Sequence, residues 1–119
     1  MKSSKLILMI FLSSIVVNVH AGNDYYFHCS HLNLDAERGL FSTVKKVNKS
    51  VEEIDTQELV NQFALSVKEP GRTACYGGSD YDEVWDGRER GMKFLEDKGW
   101  DVGIRDRQDF FDYVKNLND

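Results

Sequence analysis

Cys29 and Cys75 are the two most reactive side chains of the sequence, and His28 and His31 flank the first of them. Two thiols can pair as a disulfide, bind a metal or act as a nucleophile, and their neighbours discriminate among these uses. A structural zinc site needs four ligands. The run His28-Cys29-Ser30-His31 offers three, and pairing with Cys75 removes the thiolate from that set. A thiol catalyst calls for a Cys-x-x-Cys or a Cys-His-Asn context, and the sequence offers neither. The expectation is a Cys29–Cys75 disulfide with no metal and no cofactor. The two histidines are expected in a loop beside it, titrating between about pH 5 and 7.

Asp80, Asp82, Asp86 and Gly87 resemble part of a calcium loop, but Val84 and Trp85 stand where a ligand and the obligatory glycine belong. The same carboxylates suit the positive end of a helix. No nucleophile–base pair, phosphate loop or aromatic-basic stripe is evident, so the expected class is a non-enzymatic binding protein.

The compartment follows from the first residues. Met1, Lys2 and Lys5 precede an apolar run over 6–19, closed by Val19-His20-Ala21. A basic start, a short apolar stretch and small residues at −3 and −1 describe an export signal. Residues 1–21 are read as a signal peptide or signal-anchor, and 22–119 as one exported domain, periplasmic or secreted. Ser13, Ser14 and Asn18 dilute the apolar run, which is already short for a membrane span. An oxidising compartment favours the disulfide, worth about 3–4 kcal/mol in the chain-entropy estimate.

The chain carries a formal charge of −5, from 15 basic and 20 acidic residues. Removing the leader takes Lys2 and Lys5 with it and leaves a still more acidic domain. Phosphate recognition needs a basic stripe, so nucleic acid is excluded as a partner. A basic patch on another protein is the natural complement.

These residues must be positioned by regular elements, and the apolar spacing is mainly helical. Leu40, Val44, Val47 and Val51 recur at threes and fours, which predicts a first helix over 34–48. A second begins at Asp55-Thr56, with Glu58 completing a capping-box-like start, and Pro70-Gly71 stops it. Adjacent glycines make 75–79 a loop. The strongest helix runs from Asp80 through Val84, Arg88 and Leu95 to Lys98-Gly99. Gly87 and Gly91 share one of its faces, where another backbone, from this chain or a partner, could approach. Trp100, Val102 and Ile104 alternate as a short extended segment, and a last helix starts near Asp106. The expected fold is mainly α: a small four-helix domain with one disulfide. Its interface is placed at Asp35 and Glu37, at the start of the first helix, and at Tyr76, Ser79, Asp80 and Asp82 in the loop.

Asn23-Asp24, Phe27, the segment Asn48-Lys49-Ser50-Val51-Glu52, a following helix and cysteine, then Ser79-Asp80-Tyr81 with Val84, Gly87 and Glu89 occur in a suggestive order. This order resembles the periplasmic antiholins of T-even-type bacteriophages, the regulators of lysis inhibition. The chain departs from them in its early Cys29 and in lacking a second cysteine soon after Cys75. The resemblance implies a helical domain that binds the periplasmic domain of the phage holin and delays lysis. It also implies transient membrane anchoring by a weakly hydrophobic signal-anchor that can leave the membrane, which Ser13, Ser14 and Asn18 would suit. The alternative is an immunity protein that neutralises a peptidoglycan-degrading effector of the type VI secretion kind. In that case the loop at 76–80 would enter the enzyme's cleft. A small periplasmic acid-stress chaperone is a third reading. A homodimer is left open.

Overall fold

The computed structural model describes residues 24–119; the export signal expected at 1–21 lies outside them. The organising element is β1, Tyr25–Asn33, whose residues Phe27 to His31 are all buried, on both faces. A strand covered on both faces loses the apolar–polar alternation that marks a half-exposed one. β1 turns back through 34–37 into β2, Arg38–Phe41, which continues after a break as β3, Lys45–Val47; both pair antiparallel with β1. The other edge of β1 is taken by β4, Arg72–Gly78, also antiparallel. β5, Asp101–Ile104, runs parallel to β2 on its outer side. The order across the mixed sheet is therefore β4, β1, β2 with β3, then β5.

Three helices cover this sheet. α1, Thr56–Val67, and α3, Gln108–Leu117, lie together on one face; α2, Tyr81–Asp97, lies alone on the other. The paired face is closed by Phe27, Leu59, Phe63 and Phe110, all essentially inaccessible. The Phe63 and Phe110 rings meet edge-on at 5.1 Å, and Phe27 meets Phe110 at 6.3 Å. Each such ring contributes roughly 1.5–3 kcal/mol of burial.

The four-helix expectation is overturned by this α/β architecture. The helices expected from Asp55, Asp80 and Asp106 are present. Asp55 accepts the Glu58 amide at 3.1 Å, and Asp80 accepts those of Asp82 and Glu83. The helix expected over 34–48 is instead the hairpin turn followed by β2 and β3. The physical reason is a β-bulge. Ser30 opposes Phe41 but Phe27 opposes Lys45, so this strand carries one residue more than β1 between those pairs. The extra residue reverses the facing that follows. Leu40 and Val47, seven apart, therefore both enter the core, as they would on a helix. Ser42 repairs the broken ladder: its hydroxyl accepts the Cys29 N–H at 2.9 Å and its own N–H donates to the Cys29 carbonyl at 2.9 Å.

The loop expected over 75–79 is also corrected, because Cys75 to Gly78 belong to β4. Glycine at 77 is imposed by packing, since a Cβ there would collide with the Tyr25 ring. The expected disulfide is present, joining Cys29 and Cys75 as directly opposed residues of adjacent strands. It closes a separation of 46 residues, worth about 4 kcal/mol on the chain-entropy account.

Candidate functional site

α2 alone does not cover its face of the sheet. Val84, Arg88 and Leu95 pack inward, while the flank turned towards β4 carries Gly87 and Gly91. Between that flank and the sheet lies a cleft of about 430 Å³. His28 and Ser30 of β1 form its floor, Tyr76 of β4 and Phe94 of α2 its rims, and Leu32 closes one end. A hollow of about 170 Å³ adjoins it at the start of α2, sharing His28, Tyr76 and Gly87 and adding Glu83 beside Gly77 and Gly78. The glycines keep the cleft open. A Cβ at Gly87 would meet nothing nearer than an Arg90 guanidinium nitrogen at 3.8 Å, and one at Gly91 the Phe41 ring at 3.5 Å. The close backbone approach expected at this pair is not made by another of the described residues. Rim residues Tyr76 and Phe94 remain 60% and 61% exposed, large apolar surfaces for a small domain to leave in water.

The floor is polar at one point. His28 is only 5% exposed, and its Nδ1 is buried without a hydrogen-bond partner among the described residues. Its ring lies between Phe41, at 6.3 Å, and Tyr76, at 5.7 Å. Burial, reinforced by the positive charge of Arg88, lowers its pKa to about 4. It is therefore a neutral imidazole at ordinary pH. The loop expected for the two histidines is corrected, since both lie in β1, and titration between pH 5 and 7 is corrected for His28. His31 points to the opposite face. There Nδ1 meets the Thr73 hydroxyl at 2.7 Å and Nε2 meets the Pro70 carbonyl at 3.1 Å, tying the end of the α1–β4 connection to the sheet.

Arg88 fixes the helix over this floor. It is 4% exposed, and its Nε donates to the Ser42 carbonyl at 2.7 Å while Nη1 pairs with Glu89 at 2.6 Å. The Trp85 ring covers the guanidinium at 5.4 Å. The bulge thus supplies the carbonyl that anchors α2. Beside it Asp106 accepts the Thr43 amide and pairs with Lys45 at 3.0 Å. Burial alone would raise the Asp106 pKa, but these hydrogen bonds and the Lys45 charge hold it below the ordinary value.

The residues placed at an interface by sequence do not form one patch. Asp35 and Glu37 sit in the β1–β2 turn, with Glu37 in the left-handed region at φ 51°, and not at a helix start. Tyr76, Ser79, Asp80 and Asp82 lie at the other end of β4 and the beginning of α2. Four ladder positions separate Tyr76 from the turn end of the ladder, at Leu32 and Arg72, roughly 13 Å along a strand. Of these residues only Tyr76 lines the cleft; Asp80 caps α2, and Asp82 is exposed in its first turn. His28, Phe94 and the roomy side of the glycines were missed as a site. The readable signal was a pair of glycines four apart in the strongest helix, followed by Phe94, which lies off the helix's inward stripe of Val84, Arg88 and Leu95. Among the described residues, no three of His, Cys, Asp and Glu converge as a metal site would require. No protein-family model matches the chain, and no curated protein or solved structure matches it either.

Proposed function

We propose that the chain is an exported protein-binding inhibitor that receives a cell-envelope partner in the cleft between α2 and β4. One observation carries this reading: an apolar cleft held open by Gly87 and Gly91, rimmed by exposed Tyr76 and Phe94, with a neutral imidazole beneath whose Nδ1 has no partner among the described residues. Such a site suits an apolar side chain with one hydrogen-bonding group. The acidic surface favours encounter with a basic partner. The holin periplasmic domain and a peptidoglycan-degrading effector are the two candidate partners, corresponding to an antiholin and an immunity protein.

Affinity capture from the cell envelope tests the reading, with the wild-type chain beside Gly87→Leu and Phe111→Asp. Leucine at 87 fills the cleft, whereas Phe111 lies on α3 across the sheet. The expected result is the same partner with wild type and Phe111→Asp and its loss with Gly87→Leu. Retention by Gly87→Leu contradicts the assignment. Recovery of a holin supports the first candidate and recovery of a peptidoglycan hydrolase the second.

A further inference from the structure

β4 is a sheet edge whose outward side bonds to nothing among the described residues. Both backbone groups of Cys29 engage Ser42 on the far side of β1, so Cys29 and Cys75 form a non-hydrogen-bonded pair. The Cys75 N–H and C=O consequently point outward, and so do those of Thr73 and Gly77, two residues away on either side. Natural edge strands are usually blunted by charge, proline or a bulge. Here Thr73, Ala74, Cys75, Tyr76, Gly77 and Gly78 carry none of these.

The side chains along this edge fit a second copy of the same strand. Arg72, Ala74, Tyr76 and Gly78 share the face that bears α2. Antiparallel pairing about a two-fold axis at Cys75 is the register that overlaps all seven residues of β4. It sets the large Tyr76 against the small Ala74 of the second copy, and the long Arg72 against Gly78. Gly78 lines the hollow that also contains Glu83, so each Arg72 reaches the Glu83 carboxylate of the other chain. Neither residue takes part in an ion pair among the described residues. A two-fold contact requires such self-complementarity, with each element meeting its counterpart once in each direction.

We infer that β4 pairs with β4 of a second copy, joining two sheets into one and linking Arg72 to Glu83 across the axis. The pairing goes beyond the proposed function and stands whether or not the cleft binds a partner. It also adds a wall to each cleft, because Tyr76 of the second copy lies over Ala74 at the open side. Six main-chain hydrogen bonds would form, two each for the pairs Cys75–Cys75, Thr73–Gly77 and Gly77–Thr73.

Sedimentation equilibrium on the oxidised exported chain tests this with Arg72→Glu and Glu83→Arg. The wild type is expected to dimerise. Each variant alone sets like charges against each other at both contacts and should weaken the dimer by at least about tenfold. Mixed in equal amounts, the two variants restore opposite charges at both contacts and should form a heterodimer. That recovery also shows that both variants are folded. A wild-type chain that stays monomeric up to about 1 mM, the weak end of specific binding, overturns the proposal. So does a dimer unaffected by either reversal, or a pair of weakened variants that fails to recover on mixing.

Discussion

On the face covered by α1 and α3, the sheet is sealed ring against ring by Phe27, Phe63 and Phe110, with Leu59 and Val47 filling the remainder. On the face covered by α2, the buried groups include His28, Ser30 and Arg88, and a cleft remains between helix and sheet. The same central strand supplies both. Its residues Tyr25, Phe27 and Cys29 look towards the helix pair, and the intervening His28 and Ser30 look towards α2. One helix is too narrow to cover a face that the opposite side covers with two. The fold therefore concentrates its apolar packing on one side and leaves a cleft on the other.

The largest effect should come from the sealed face. Phe63→Ala is expected to lower unfolding free energy by about 3–5 kcal/mol in urea titrations, whereas Phe94→Ala at the cleft rim should change it by less than about 0.5 kcal/mol. Equal costs would erase the distinction between the faces. Next, Cys29→Ser with Cys75→Ser should lower stability by about 2–4 kcal/mol, matched in the wild type by reductant. The staple ties the central strand to the edge that bounds the cleft, so amide exchange should accelerate first in β4.

The open face has its own signature in acid. In the fold His28 resists protonation down to about pH 4, under burial and the nearby Arg88, with Glu83 across the adjoining hollow and Tyr76 above the ring. In the unfolded chain it takes its proton near pH 6.5. Between these values the unfolded state binds more protons, so stability falls as pH is lowered, by a total on the order of 3 kcal/mol. His28→Leu should remove this component from a urea–pH series; an unchanged slope would show that the imidazole is not shielded as described. The smallest effect concerns Gly87. Replacement by alanine meets only the Arg90 guanidinium, at an ordinary 3.8 Å, and should raise the melting temperature, through a gain of about 0.5–1 kcal/mol in helix propensity. A loss there would mean that the cleft is tighter than its lining indicates.

How far the sequence could be read depends on whether an element's signals are local. α1 was legible because Asp55, its stripe of Leu59, Phe63 and Val67, and Pro70-Gly71 agree with one another. α2 was legible for the same reason, from Asp80 to Gly99. The disulfide was legible from the expected compartment and the count of cysteines. β1 was not, because both its faces are buried and two histidines and a serine occupy positions where aliphatic residues would have announced a strand. The bulge at Ser42 converted strand spacing into apparent helical spacing between Leu40 and Val47. In β4, glycine at 77 answers a close contact with Tyr25 made across the sheet, which no local pattern records. The cleft shared this fate. Tyr76 is picked out by its place in the segment beside the disulfide, but His28 acquires its role only when β1 lies beneath α2.

The proposed function places recognition on the α2 face, at its open side. Photocrosslinking in the producing cells tests it most directly, with a benzophenone side chain at Phe94 in one chain and at Phe111 on α3 in another. The account predicts a discrete adduct to a cell-envelope protein from position 94 that disappears when Gly87→Leu is added, and none from position 111. Equal adducts from both positions, or an adduct from 94 indifferent to Gly87→Leu, would contradict it.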